Sequence, residues 1–235
     1  MSDFLTLVQD LQRECGVAGA SITTVSGQSG MYGKLVNWIA DADIHIQNLR
    51  TDWKFLWSQY SVNTSVGTSE PAVPADLNVW DRNSFYLDYS TASHKRLPEL
   101  DYKKWRDGRG RGVQTNRKPA NIVVKPDNQI ILTSPPDGIY ALTADYWKTP
   151  TKMVANTDLS DIPAHFHRII VVQAKLWYAE EQEIPDVYKS AMVELFGDPR
   201  EKEKIGLIDQ LKANQLPNQE RRTMSEGAPI NIRPE

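Results

Sequence analysis

A regular spacing of apolar residues between positions 35 and 60 is the clearest pattern in the chain. These residues are separated alternately by four and three positions, which predicts one face of an α-helix of about 27 residues. At about 1.5 Å per residue the helix is about 40 Å long, more than a small domain needs, so we expect it to contact more than one body. The residues on this face are Leu35, Ile39, Ala42, Ile46, Leu49, Trp53, Leu56 and Tyr60.

Shorter helical patterns precede and follow this stretch. Ser2 is predicted to cap an N-terminal helix that stops at Gly16. Ser160 or Asp161 is predicted to cap a later helix. One turn of that helix, residues 169–172, is apolar on nearly all sides, which indicates burial between two layers.

Two more helices are predicted nearer the C-terminus. Pro185 favours the first turn of a helix that ends at Gly197. Asp198 and Pro199 are predicted to start the next one. The residues expected to face inward on the helix after Pro185 are Val187, Tyr188, Ala191, Met192, Leu195 and Phe196.

Strand signals replace the helical period in the middle of the chain. Residues 84–89 are one candidate strand. Residues 121–124 and 129–132 are apolar and flank a Pro-Asp-Asn turn, so they predict a β-hairpin. Residues 139–147 alternate in polarity and predict a third strand. These segments indicate a small antiparallel β unit.

The order of these elements predicts an α+β fold. A helical bundle is expected from residues 1–61 and 156–213, with a β-rich insertion at residues 62–155. Residues 214–235 contain three prolines and no aromatic residue, and their net charge is zero. That composition predicts an extended tail that does not fold alone.

Composition restricts the class of protein. The chain has 235 residues, of which 40% are hydrophobic and 24% charged, as in folded soluble proteins. The longest aliphatic run is residues 169–172, far short of the roughly 18 apolar residues of a membrane span. A single cysteine, Cys15, and the absence of basic residues before Arg13 favour synthesis in a reducing cytoplasm.

Known catalytic and ligand-binding motifs are missing. The glycines at positions 27, 30 and 33, which precede Lys34, lack the spacing of a phosphate-binding loop. His165 and His167 are two positions apart, so on a helix they point to different faces and do not share a metal ion. The sequence therefore predicts no enzyme activity, no catalytic residue, no metal and no cofactor.

One segment departs from the overall net charge of −3. Residues 94–118 contain nine Lys or Arg and three acidic residues, so the segment is +6 and the rest of the chain is −9. Cations interleaved with aromatic rings are typical of nucleic-acid surfaces, where they pair with phosphates and stack on bases. A contact with an acidic protein surface and a solvated loop are the alternatives. The candidate patch consists of Lys103, Lys104, Arg106, Arg109 and Arg111, around Trp105.

The segment from residue 139 to residue 190 resembles a known family. Residues 144–151 end a strand with Tyr-Trp and Thr-Pro, and a Thr-Asp turn follows. Residues 162–171 then combine Ile-Pro, a Phe-His pair and an aliphatic run, and Tyr-Ala-Glu-Glu follows at residues 178–181. This order resembles the adaptor family of tailed-bacteriophage head-to-tail connectors.

The resemblance implies a structural virion protein. Members of that family are helical bundles with a β insertion, and they form a ring, usually dodecameric, beneath the portal protein. Such a ring extends the DNA channel and provides the platform for tail attachment. The implied location is the neck of the virion, after synthesis in the host cytoplasm. The implied partners are other copies of the chain, the portal, tail or nozzle and fibre proteins, and double-stranded DNA that passes without sequence-specific binding; no membrane is implied.

The resemblance also suggests contact residues. A portal-docking role is expected for the tail, with Arg221, Arg222, Met224, Ile230 and Ile232 as its contact residues. Packing between subunits is expected for Trp38, Trp53, Trp57 and Trp177. No family motif covers residues 94–118, so a nucleic-acid-binding protein that uses this segment is the alternative function.

Overall fold

The computed structural model describes residues 2–90, 93–108, 110, 112–198 and 205–215. The chain divides into a helical unit, residues 1–55 and 150–235, and a β unit, residues 56–149. This architecture confirms the predicted α+β class. The helices are α1 (Phe4–Glu14), α2 (Gly30–Asn48), α3 (Tyr102–Asp107), α4 (Arg168–Glu181), α5 (Pro185–Phe196) and α6 (Leu207–Gln215), and the strands are β1 (Trp57–Asn63), β2 (Leu77–Trp80), β3 (Tyr86–Ser90), β4 (Ser93–Arg96), β5 (Glu99–Leu100), β6 (Ile122–Val124), β7 (Ile130–Leu132) and β8 (Ala141–Lys148).

Helix α1 begins at a side-chain cap. The Asp3 carboxylate accepts a hydrogen bond from the Thr6 backbone N–H (2.8 Å), so the cap is Asp3 and not Ser2 as predicted. The first two N–H groups of the helix, those of Phe4 and Leu5, donate to the backbone carbonyls of residues 158 and 156. The helix ends at Glu14, and Gly16 follows with a positive φ of 62°. Its buried face consists of Phe4, Leu7, Val8 and Leu11.

The long helix predicted over residues 35–60 is wrong in its second half. Helix α2 ends at Asn48, and residues 57–63 form strand β1. Arg50 and Asp52 form an ion pair at 2.7 Å, and residues two positions apart do not face each other on a helix. Trp53 is still buried, but its indole N–H donates to the Gln47 carbonyl near the end of α2. The apolar spacing therefore continued through a turn and into a strand.

Helix α4 is the centre of the helical unit. Residues 169–172 are all buried, as predicted, because α1, α2 and α5 pack around α4. The start of this helix differs from the prediction. A 3₁₀ turn, Ala164–Phe166, precedes it, and the Ser160 hydroxyl accepts from the Ile162 N–H (3.0 Å) before that turn.

Helices α5 and α6 complete the helical unit. Pro185 starts α5 and Gly197 follows it, as predicted. Ala191 and Leu195 are buried, but Tyr188 and Phe196 are exposed, so the prediction that they face inward is wrong. Both faces of α5 carry apolar residues, and the spacing alone does not indicate which face packs.

Only part of the predicted start of α6 can be compared with the structure. Helix α6 starts at Leu207 and includes residues 214 and 215, which were predicted to belong to the tail. Asp198 is described, but it is not part of a helix. Pro199, the other residue of the predicted helix start, lies outside the described residues.

The β unit contains two sheets. The larger has the order β1-β8-β3-β4, and β2 also pairs with β8, all antiparallel. The smaller has the order β5-β6-β7. The predicted hairpin is confirmed as β6 and β7, and the predicted third strand is confirmed as β8. The pairing of β5 with β6 is parallel, so the prediction of a purely antiparallel unit is wrong.

Aromatic residues fill the core of the β unit around Trp80. Its ring lies 5.2 Å from that of Tyr60 and 5.3 Å from that of Phe85, centroid to centroid. The Trp80 indole N–H donates to the Asn128 carbonyl (2.9 Å). Leu87, Leu142 and Tyr146 are buried in the same core. The core therefore lies beneath one face of the larger sheet.

Candidate interaction surfaces

The tryptophans proposed for subunit packing lie in three different environments. Trp53 is 1% exposed, stacks on Phe55 with centroids 5.5 Å apart, and belongs to the core of its own chain. Trp38 and Trp177 are partly exposed. Each contacts a ring edge to face, Trp38 at 6.0 Å from Tyr178 and Trp177 at 5.7 Å from His45. Because these contacts join α2 to α4, the two indoles cover the line along which those helices pack.

Trp57 lies on strand β1 and not on a helix. It is 49% exposed and directly opposite Trp147 of β8, which is in turn opposite Val79 of β2. Paired residues of neighbouring strands point to the same face, so the three side chains form a row across three strands. We call Trp57, Trp147 and Val79 the sheet patch.

Trp147 was missed as a surface residue, although the sequence carried a signal for it. The alternation along β8 buries Leu142, Ala144 and Tyr146. Trp147 therefore has to point to the opposite face of the strand. No comparable signal marks Val79, because β2 has only four residues and pairs with β8 through a shifted register.

A second exposed apolar surface lies on α5 and just after it. Phe196 is 52% exposed and Ile205, which forms a backbone bridge with Gly197, is 62% exposed. Tyr188 and Val193 extend the surface along the helix. We call Tyr188, Val193, Phe196 and Ile205 the α5 patch. Val193 and Phe196 are three positions apart and therefore neighbours on the helix surface, and an exposed apolar surface can mark an interaction site.

The basic segment forms the short helix α3, which was not predicted. Asp101 caps this helix by accepting from the Lys104 N–H (2.9 Å). Lys103, Lys104 and Arg106 are exposed on it. Arg109 and Arg111 lie outside the described residues, so only part of the predicted patch has a position.

The predicted portal-docking residues have no position either. Arg221, Arg222, Met224, Ile230 and Ile232 all lie outside the described residues. Because α6 extends to Gln215, whose side chain is buried, the predicted tail begins no earlier than residue 216.

The helices of the helical unit are joined by ion pairs on their surface. The Arg168 guanidinium on α4 contacts Glu14 of α1 and, at 2.7 Å, Glu194 of α5. Lys175 of α4 also contacts Glu14, at 3.4 Å. Lys34 of α2 pairs with a glutamate near the end of α4. These pairs are partly exposed and therefore fix the helix register more than they add stability.

A buried polar cluster lies between α2 and the segment before α4. The Asp43 carboxylate is fully buried and accepts from the Ser160 hydroxyl and from the Gln47 side-chain amide (2.9 Å). Burial raises the pKa of Asp43 to about 6. The Gln47 side-chain oxygen has no hydrogen-bond partner. The cluster therefore links α2 to residue 160 through a carboxyl group whose ionisation is disfavoured by burial.

The two histidines before α4 differ in burial, as their spacing predicts. His165 is exposed and packs on the Phe166 ring, with centroids 4.2 Å apart. His167 is 4% exposed, its Nε2 lies 2.9 Å from the Ile162 carbonyl, and burial lowers its pKa. Within the described ranges, no three His, Cys, Asp or Glu residues converge as a metal site would require.

None of the described helices has the length and apolar character needed to span a membrane. The candidate interaction surfaces among the described residues include the sheet patch, the α5 patch and the basic helix α3.

Comparison with known families finds a match that covers most of the chain. Residues 2–216 match the model of the SU10 adaptor protein family, so the match extends over both units and stops where the predicted tail begins. No curated protein matches the sequence.

Proposed function

Because the chain belongs to the SU10 adaptor protein family, whose members are structural proteins of bacteriophages, we propose that it forms a ring beneath the portal and joins the head of the virion to its tail. The match over residues 2–216 is the observation that carries this proposal. In this function the ring extends the DNA channel and provides the platform for tail, nozzle or fibre proteins. It is usually dodecameric in the connector family that the sequence resembles.

Two exposed apolar patches support ring formation. The α5 patch belongs to the helical unit and the sheet patch to the β unit. A ring needs a heterologous contact, in which one surface of a subunit meets a different surface of the next subunit. Two separate patches suit such a contact better than a single patch that meets its own copy. Trp57, the most exposed tryptophan in the sheet patch, is the contact residue we propose first.

Trp38 and Trp177 are only partly exposed, so we expect each of them to contribute less area to this contact than Trp57 does. Their edge-to-face contacts already bury part of each ring. Trp53 has no exposed surface to contribute, and its role is to pack the chain to which it belongs.

The composition of the tail supports the proposed contact with the portal. Residues 216–235 follow a helix that is packed on α5, and their composition is that of a segment that orders on binding. Ile230 and Ile232 are two positions apart, which suits an extended segment with both side chains on one face. Arg221, Arg222 and Met224 are the proposed contacts nearer the helical unit.

Deletion of residues 216–235 tests the portal contact. The truncated chain keeps α6 and should unfold at the same urea concentration as the full chain, but it should not bind the purified portal in light scattering or form rings in negative-stain micrographs. Truncated protein that binds the portal normally would exclude the docking role of the tail.

Point variants in the tail refine this test. Replacement of Ile230 and Ile232 by Ser should weaken portal binding at least about 30-fold if they are central anchors. Replacement of Asn218 and Gln219 by Ser is the matched control and should change the affinity little. Equal losses in the two double variants would contradict the anchor role of Ile230 and Ile232.

The Trp57→Ser variant tests the ring contact. Its matched control is Gln59→Ser, which lies two residues further along β1 on the same face of the sheet. With portal present, Trp57→Ser should form incomplete or no rings, while Gln59→Ser should form normal ones. Normal rings from both variants would remove the sheet patch from the interface.

A further inference from the structure

Helix α3 carries two lysines, Lys103 and Lys104, that form no ion pair with a described residue. The acids of the segment already have partners: Asp101 caps the helix, Asp107 pairs with Arg106 at 3.0 Å, and Glu99 pairs with Arg82 at 3.0 Å. Lys103 and Lys104 are exposed, and in the part of the chain that the structure describes neither ammonium group has an acidic partner.

The aromatic rings of α3 are only partly exposed. Tyr102 and Trp105 stack with centroids 6.4 Å apart and an interplanar angle of 29°, and the Trp105 indole nitrogen is buried. The Arg106 guanidinium lies 5.9 Å from the centre of the Tyr102 ring. These contacts leave only part of each ring open for the base stacking predicted for Trp105. The exposed side chains of the helix are all charged: Lys103, Lys104, Arg106 and Asp107.

The helix is held firmly at its C-terminal end. Gly110 donates a backbone hydrogen bond to the Trp105 carbonyl (2.8 Å) and lies against the indole. A side chain at Gly110 would place its Cβ 2.9 Å from Trp105 Cζ3, so glycine is needed for this approach. The Gly108 N–H donates to the Lys104 carbonyl (3.1 Å). The two lysines therefore project from a fixed backbone.

We propose that Lys103 and Lys104 bind the phosphate groups of double-stranded DNA without reading its sequence. This inference rests on the proposed function only for its setting, a channel that DNA crosses. A lysine ammonium binds phosphate as a point charge, and a duplex presents a phosphate charge about every 1.7 Å along its axis. Any rotation of the duplex therefore brings phosphates within reach of both lysines. An acidic protein surface, by contrast, would need carboxylates at positions that match those of the two lysines.

Salt dependence of DNA binding tests the proposal on the full-length chain. A labelled duplex of random sequence is titrated by fluorescence anisotropy at several NaCl concentrations with the wild type and with Lys103→Gln/Lys104→Gln. Each phosphate contact contributes about 0.9 to the slope of log K against log salt, so loss of two contacts should lower the slope by about 1.8. Between about 50 and 200 mM salt the wild type should then lose about tenfold more affinity than the variant.

The matched control replaces two exposed lysines of the helical unit, Lys54→Gln/Lys189→Gln, with the same change in net charge. It should keep the wild-type slope. A single strand of equal length should bind less tightly than the duplex, because its charge density is lower.

Three results would overturn the proposal. The first is no duplex binding by the wild type at about 50 mM salt. The second is an equal fall in slope for both double variants. The third is unchanged duplex binding by Lys103→Gln/Lys104→Gln together with weaker self-association in sedimentation, which would assign the lysines to an acidic surface of another copy.

Ring assembly with portal separates this inference from the proposed function. Rings from Lys103→Gln/Lys104→Gln, with the DNA slope reduced, support both. Rings without any effect of the lysines on DNA binding overturn only the inference. Lysine-dependent duplex binding without rings supports the inference and counts against the adaptor ring.

Discussion

Replacement of Asp43 by Asn should stabilise the helical unit at neutral pH and remove part of its pH dependence. Asp43 is fully buried between Ser160 and Gln47, and burial raises the pKa of its carboxyl to about 6. A carboxyl whose pKa is higher in the folded chain than in the unfolded chain favours folding only while it is protonated. Its contribution is complete below about pH 4 and is lost as the pH rises through about 6.

The expected magnitude follows from the pKa. The rise from 3.8 to about 6 is about two pKa units. At about 1.4 kcal/mol per unit, ionisation of Asp43 costs the folded chain about 3 kcal/mol. Asn cannot ionise, and the Gln47 oxygen, which has no partner, can accept from the new amide once the Gln47 side chain turns over.

Urea unfolding, followed by far-UV circular dichroism at a series of pH values, checks this prediction. The difference in free energy of unfolding between Asp43→Asn and the wild type should rise by up to about 3 kcal/mol from about pH 4 to about pH 7. Asp41→Asn on the same helix is the control, because that residue is exposed and its pairing with Lys152 is a surface contact. A difference that stays constant over this pH range, or that falls, would refute the reasoning.

Two further substitutions test local features of the helical unit. Asp3→Ala removes the cap of α1 and should lower the free energy of unfolding by about 1 kcal/mol in urea titrations. Ser2→Ala should have no measurable effect. Equal losses in the two variants would show that Asp3 is not the cap. Gly206→Ala would place a Cβ 2.4 Å from the Leu195 carbonyl oxygen and should cost about 1–3 kcal/mol in the same assay. An unchanged unfolding midpoint for Gly206→Ala would show that α6 is free to move away from α5.

Strong local signals made part of the fold predictable from the sequence. Pro185 and Gly197 mark the limits of α5, and the run at residues 169–172 indicates a helix buried on all sides. The hairpin of β6 and β7 follows from two apolar runs around a turn. In each case the local chemistry and the tertiary packing favour the same structure.

The parts that could not be predicted depend on distant pairing. Strand β1 continues the spacing of α2, and it becomes a strand because β8, 78 to 90 positions away, pairs with it along its whole length. Strand β4 consists of four exposed residues and has no apolar alternation to reveal it. Local propensity contains no information on either pairing.

The candidate surfaces, like the fold, could be predicted from the sequence only in part. Charge is additive along a sequence, so the basic segment was found from composition. The partial burial of Tyr102 and Trp105 depends on how α3 packs, and only the structure shows it. The exposure of Phe196 is also a tertiary property, because α5 has apolar residues on both faces. The DNA proposal therefore takes its charge from the sequence and the exposure of its two lysines from the fold.

The pairing of Trp57 with Trp147 also has a consequence for how the chain is organised. Paired residues of antiparallel strands have Cα atoms about 4.5–5.5 Å apart, so the chain enters and leaves the β unit at nearly the same point. To the helical unit, the whole of residues 56–149 is equivalent to one closed loop whose ends already meet. The length and content of such an insertion can change at little entropic cost to the helices that carry it. We therefore expect the β unit to tolerate insertions and deletions that the helical unit does not.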